Sequence, residues 1–358
     1  MRCVYYNLCD VTNYSRNANA YQKIRMLVEH FDGYVVPDGK PANVLPGEFK
    51  ARLISPCDLT RQDVRIVGYL NEIELLKTLI KSFWWKAFFV FCWDPPGVMV
   101  RDRTDFVSRL RCRVMDVLLT LVALRSRGVV LNLHPGFLAE RIPKFAHGKF
   151  RSFLNGTMVA ENRKMAGGVA HVPKRISINN AFGSHKACWE IARLVVRLWK
   201  ADPEVSVAWV GYAAEHEKVM EFLRDSGMPS DHIVSPGKCS LEDAMRILAS
   251  GSIALNAYPD NPSLHWNYVL KAPEFLSLGL PVVSSDMPGV RAYVIENETG
   301  LFFKPGDWDA AFERLGNLIE NPDEVERMRM VCLNSANQFD WDVINKQIAA
   351  FISGEVSQ

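Results

Sequence analysis

Short apolar runs alternate with longer amphipathic stretches along nearly the whole chain. RCVYYN at the start reads as a buried strand, the polar CDVTNYSRNANAY as a loop, and AYQKIRMLVEHF, with apolar residues at helical spacing, as a helix. RIVGYL then precedes the helical NEIELLKTLIKSFWW, and AFFVFCW precedes the loop DPPGVMV and the helix TDFVSRLRCRVMDVLLTLVALRSRG, after which comes GVVLNLH. Strands that alternate with helices predict a parallel sheet with helices on both faces. Between about 140 and 175 the pattern dissolves into a stretch rich in Gly, Lys and Arg, and a second series starts at RISINN. It runs through CWEIARLVVRLWKA (helix), VSVAWVG (strand), EHEKVMEFLRDSG (helix), HIVSPG (short strand), SLEDAMRILASG (helix), IALNAY (strand), APEFLSLG (helix), PVVSS (strand), one more helix and LFFKPG. AAFERLGNLIE, VERMRMVCLNSANQF and WDVINKQIAAFIS follow as amphipathic helices. The expected architecture is α/β, with two Rossmann-like doubly wound domains at 1–165 and 166–335 and a C-terminal helix, 336–358, returning across the seam. Open α/β sheets bind ligands outside the carboxyl ends of their strands, so function is expected in a cleft on which the two domains face.

Composition narrows the picture without choosing a function. With 48% hydrophobic and 23% charged residues over 358 positions, the chain is neither disordered nor a small stapled scaffold. Eight scattered cysteines form no C-x-x-C or Cys/His cluster, so reduced thiols and no bound metal are expected. With no leader-like segment at the start, and with apolar stretches short of the roughly 20 residues of a spanning helix, the expected location is cytoplasmic. The net charge of +2 hides a division: residues 1–170 carry 25 Lys and Arg against 15 Asp and Glu, whereas 171–358 carry 17 against 25. A basic first half suggests an anionic partner, although two domains of different surface composition would look the same. IKSFWWKAFF, followed by Arg101, Arg103, Arg109, Arg111 and Arg113, mixes aromatics and cations as an interfacial patch does. Phe83, Trp84, Trp85 and Lys86 are its candidate contacts with an anionic membrane surface, which would make the chain peripheral on the inner face of the membrane. No nucleic-acid partner is expected, and the absence of G-x-G-x-x-G after the first strand argues against a nicotinamide dehydrogenase.

The stretch 271–307, KAPEFLSLGLPVVSSDMPGVRAYVIENETGLFFKPGD, resembles the donor-binding segment of nucleotide-sugar glycosyltransferases of the GT-B fold, most closely the family 4 type. Further marks follow the same order: Lys186 after the first strand of the second series, VGYAAE at 210, SPGKCSLEDAMRILASGSIALNAY through 258, and FDWDV near the end. The first half agrees more loosely, through WDPPG at 93 and FLNGTMV at 153. The resemblance implies a glycosyltransferase that moves a sugar from a nucleotide-diphosphate donor to a saccharide or lipid-linked saccharide in glycan or polysaccharide biosynthesis, with no cofactor or metal. A nucleotide-sugar epimerase of the same fold, or a binding protein that has lost catalysis, stays open as an alternative.

The chemistry of the donor suggests which residues meet it. Ribose hydroxyls suit a carboxylate acceptor, and a diphosphate suits a cation and free backbone N–H groups. Lys271 and Glu274 have that pairing of types, three apart on one helical face. In the family, the glutamate at this position grips the ribose and a nearby lysine reaches the diphosphate; a plain surface salt bridge is the competing reading. Lys186 stands where the family clamps the donor phosphates. Where the family has an arginine five residues earlier this chain has Ala181, so His185 or Arg175 is the candidate substitute. At the first acid of the family's E-x7-E pair stands Trp266, flanked by His265 and Asn267, so the sugar is either stacked or gripped differently there, or Trp266 is core. Gly289 in DMPGV is where backbone N–H groups would approach the phosphates, if it is more than a turn glycine.

On the first domain, Asp94 closes a predicted strand and precedes Pro95-Pro96, which suits a general base in an inverting displacement or a simple turn cap. His134 in VLNLHPGF ends another strand and is the second candidate base, or a donor to the sugar. Asn17 and Asn19, in the polar loop after the first strand, are candidate ligands of acceptor hydroxyls.

Overall fold

Val64–Gly68, Ala87–Cys92 and Gly128–Leu131 are buried along their whole length, which is why, Arg65 apart, they read as continuous apolar runs and not as alternations. The computed structural model describes residues 1–6, 19–36, 47–68, 72–92, 105–183, 187–261 and 264–354. Strands β1 (Arg2–Tyr6), β2 (Asp32–Val35), β3 (Val64–Gly68), β4 (Ala87–Cys92), β5 (Gly128–Leu131) and β6 (Phe150–Ser152) form one parallel sheet in the order β2-β1-β3-β4-β5-β6. Around it lie α1 (Asn19–His30), α2 (Glu72–Lys81), α3 (Phe106–Arg125) and α4 (Gly136–Arg141). Asp105 starts α3 by accepting the Ser108 N–H at 2.9 Å, satisfying one of the first-turn donors.

The second sheet is also parallel. Its strands are β7 (Arg175–Asn179), β8 (Ser206–Val210), β9 (Ile233–Val234), β10 (Ile253–Asn256), β11 (Val282–Ser285) and β12 (Gly300–Phe303), in the order β12-β11-β10-β7-β8-β9. Its helices are α5 (Val159–Ala166), α6 (Cys188–Ala201), α7 (His216–Asp225), α8 (Leu241–Ala249), α9 (Lys271–Ser277), α10 (Pro288–Arg291), α11 (Trp308–Glu320) and α12 (Pro322–Ser335). Trp209, fully buried, stacks on Phe182 with 4.5 Å between ring centroids and donates its indole N–H to Asn180 O. The last helix, α13 (Trp341–Ser353), packs against α1.

By contacts the chain divides into two compact units: Met1–Gly156, Pro262–Tyr268 and Trp341–Gln358 in the first, Thr157–Asn261 and Val269–Asp340 in the second. The chain therefore passes from one unit to the other at 156, 261, 268 and 340, where composition places a single crossing near 165 and a returning helix from 336. Four elements lie outside the expected pattern: β2, β6, α4 and α5. The two strands are edge strands of three or four residues and α4 is a six-residue helix, all too short to show a period. Of HIVSPG only Ile233–Val234 pairs as a strand.

Candidate functional site

In the second sheet the strand order reverses between β7 and β10, and the carboxyl ends at such a switch point are where open α/β sheets bind ligands. Asn179 ends β7, Asn256 ends β10 and Ser285 ends β11. Glu274, on α9, brings a carboxylate to this edge. It is only 7% exposed, its Oε2 accepts from Asn179 Nδ2 at 2.9 Å, and Lys271 Nζ stands 3.9 Å from the same oxygen. The pair is thus a buried, hydrogen-bonded group with a half-exposed cation beside it, which separates it from an ordinary surface salt bridge. Burial and the charge of the Glu274 carboxylate push the Tyr258 phenol above its usual range. The hydroxyl of Ser277 donates to Glu274 O at 2.6 Å and accepts from Asn162, whose amide also reaches Thr157, so α5 and α9 hold the carboxylate's backbone. Gly211 follows β8 with φ at +143°, and a Cβ there would lie 2.2 Å from Asn180 O; only glycine allows this close approach.

The other donor residues read from the sequence are placed unevenly. Lys186 and His185 lie outside the described residues. Just after them Ala187 adopts a left-handed conformation (φ 56°) at the start of α6, and no side chain among the described residues caps that helix. Arg175 opens β7, whereas the ligand edge is at its other end; it donates to Ser206 and Ser250 there, so it does not stand in for the arginine replaced by Ala181. Gly289 sits in the one-turn helix α10, not in an open turn, and is buried after β11.

His265 and Trp266, expected to line the donor site, belong by their contacts to the first unit. There Leu133 bridges Asn267, and the His134 N–H donates to Trp266 O at 2.8 Å. The His134 and Trp266 rings stack at 5.5 Å with 14° between planes, and the Trp266 indole N–H donates to Glu140 Oε2 at 2.6 Å. A Cβ on Gly136 would lie 2.0 Å from the Trp266 ring, so the glycine of HPG is what lets the indole sit down. The Gly136 backbone N–H donates to His134 Nδ1 at 3.1 Å. A backbone N–H only donates, so Nδ1 is unprotonated and the neutral ring carries its hydrogen on Nε2. Burial lowers the His134 pKa from 6.5, favouring this neutral form. His134 is thereby a hydrogen-bond donor through Nε2 more readily than a base. Tyr268 stands edge-on to it, bonded to Ser152, while Asn155 of the Asn-Gly pair donates to Tyr268 O at 2.8 Å.

Asp94 and Asn17 lie outside the described residues; Asn19 is the first residue of α1. Glu140, Asn179 and Tyr258 are members of these clusters that sequence reasoning passed over. Asn179 and Tyr258 did carry a signal, since they close or follow strands, but Glu140 meets Trp266 only through folding. Among the described residues no group of three or more His, Cys, Asp or Glu is placed to hold a metal ion, and no helix is long and apolar enough to cross a membrane.

The two parallel six-stranded sheets with flanking helices are the fold of GT-B glycosyltransferases. The sucrose-phosphate synthase of Thermosynechococcus elongatus superposes with a TM-score of 0.71 at 13% identity, covering 99% of both chains. HepE of Anabaena, solved in complex with UDP, superposes with 0.72 at 16% identity, covering 99% of this chain and all of that one. Residues 173–331 match the family Glycosyl transferases group 1. A sulfoquinovosyl transferase of Arabidopsis thaliana is 25% identical over 149 residues, which are 41% of this chain and 27% of that protein.

Proposed function

We propose that this protein transfers a sugar from a nucleotide-diphosphate donor to a saccharide or lipid-linked saccharide in glycan biosynthesis. The observation that carries the reading is Glu274, a buried carboxylate at the switch point of the second sheet, tethered by Asn179 and flanked by Lys271. In this reading Glu274 accepts from the ribose hydroxyls, and Lys271, Lys186 and the start of α6 face the diphosphate. The charge of the leaving diphosphate is then balanced by lysines, and turnover does not depend on an added metal. Gly289 keeps its role of letting backbone approach the phosphates. In the first unit, His134 offers Nε2–H to a sugar oxygen, the general-base role falls to Asp94, and Asn17 and Asn19 bind acceptor hydroxyls. The family 4 subtype, the cytoplasmic location and contact of the basic first half with an anionic membrane belong to the same proposal. HepE structures with UDP and with UDP-glucose support a uridine donor.

The test is release of nucleotide diphosphate from a panel of nucleotide sugars, with and without saccharide acceptors, in the presence of a chelator. Acceptor-dependent release that withstands the chelator is expected. Release at the same rate without acceptor would remove the transferase reading, and loss on chelation would remove the metal-free one. Asp94→Asn should lower turnover roughly a hundredfold with donor affinity retained.

A further inference from the structure

Helix α3 is apolar on both sides. Its inner side, with Cys112, Met115, Leu119 and Val122, is buried against the first sheet. Its outer side carries Val107, Leu110, Val114, Val117, Leu121 and Leu124, all exposed and spaced alternately three and four apart, so they form one stripe. A helix in water keeps its outer face polar; one apolar all round is covered. Helix α2 packs beside α3 and extends the stripe with Ile73, Leu76 and Ile80, ending in Phe83 and Trp84, which are 66% and 68% exposed. Together these side chains form a contiguous apolar face of a kind that soluble monomers rarely leave to solvent. Beside it, Val117, Leu121 and Leu124 also line a groove of about 550 Å³ with Phe145, Arg113, Arg141 and Glu140.

Cations outnumber acids on this face. Lys77, Lys81, Lys86, Arg109 and Arg113 are exposed around it, and Arg125 lies over the Phe83 ring at 4.8 Å. On α3 the single acid is Asp116, which is buried; α2 carries two, Glu72, engaged by Arg111, and the half-buried Glu74. A second copy would bring the same excess of cations against these, so like-charge repulsion opposes self-pairing. An anionic bilayer meets both features: its acyl region takes the apolar stripe, and its headgroups take the ring of Lys and Arg.

We propose that the α2–α3 face is the surface by which this chain lies on an anionic lipid bilayer, with Val117 and Leu121 at its centre and Trp84 at its edge. This rests on, and makes specific, the membrane contact in the proposed function, but not on the donor chemistry, which is a property of the second unit. The experiment is co-sedimentation of the full chain with phosphatidylcholine vesicles, with and without phosphatidylglycerol, over a range of salt. Binding to the phosphatidylglycerol vesicles is expected to weaken steeply with salt. Val117→Glu with Leu121→Glu should reduce it at least about tenfold at every salt concentration, and Arg109→Glu with Arg113→Glu should abolish the preference for phosphatidylglycerol. Circular dichroism and thermal melts of both pairs should match the parent chain, which shows that the first unit folds, and UDP affinity, measured by calorimetry on the same samples, should be unchanged and reports on the donor reading separately. Equal binding to both vesicle types, or full binding by Val117→Glu with Leu121→Glu, would overturn the proposal. So would a lipid-free dimer that the same pair dissolves, since the face would then belong to a second copy.

Discussion

A carboxylate as buried as Glu274 must keep its charge hydrogen-bonded or lose it, and one amide from Asn179 leaves lone pairs for a ligand. Removing it takes away a charged acceptor from bound ribose, so Glu274→Ala should weaken nucleotide binding by about 1.5–3 kcal/mol with the fold retained, as read by calorimetry and circular dichroism. His134 gives the second test at this scale. Its pKa is lowered because it is partly buried, and the stacked Trp266 is part of that cover. A lowered histidine pKa means that the unfolded chain takes up its proton first as pH falls, so His134 stabilises the fold above about 6.5 and this contribution is lost as pH drops below. Trp266→Leu opens the ring to water, so its titration, followed by NMR of the imidazole, should move up toward 6.5. An unmoved titration would show that Trp266 does not shield it.

Between elements, the packing of α1 against β4 and α13 contains an unusual group. Lys23 is fully buried, its ammonium 5.4 Å from the centroid of Phe91 and 5.3 Å from that of Trp341, with no hydrogen-bond acceptor among the described residues. Burial pulls its pKa from 10.5 down to about 7. Two aromatic faces recover only part of the hydration that an ammonium loses. The lowered pKa makes stability rise with pH between about 7 and 10.5, because only the unfolded chain holds the proton there. Lys23→Met should raise the melting temperature at pH 7 and flatten that rise, as followed by thermal melts across the range. At the end of β8, Gly211→Ala meets both a positive φ and the Asn180 carbonyl, so it should cost about 1–3 kcal/mol in a denaturant titration.

At the scale of the whole molecule, the first unit is built from three separate segments of the chain. Its last segment, α13, buries Trp341, Ile344, Ile348 and Ile352, sets Phe351 against Phe89 and Phe153, and bonds Asn345 to Gln22. Four such side chains are worth roughly 6–12 kcal/mol together, comparable with the whole stability of a domain at about 5–15 kcal/mol. Deleting 341–358 should therefore leave 1–156 open to protease while the core around Trp209 in the second unit persists, as mapped by limited proteolysis and mass spectrometry. Equal resistance of both units would show that α13 is dispensable to the first.

Strand and helix alternation, the α/β class and the pairing of Lys271 with Glu274 were legible in the sequence. Each is local: a buried parallel strand must be apolar throughout, and two residues three apart on a helix share a face whatever surrounds them. What lies far apart in sequence was decided by tertiary structure alone. That 262–268 leaves its neighbours to join the first unit, that Trp266 stacks on His134 and bonds Glu140, and that Asn179 tethers Glu274 all depend on contacts across about 95 to 132 positions. Such contacts leave no periodicity, because their energy comes from closing a long loop onto a preformed surface and not from neighbours along the chain. The outer stripe of α3 shows the same limit from the other side. Its apolar spacing was visible as a helix, but which face is covered by the protein's own sheet and which is left bare is a property of the folded first unit.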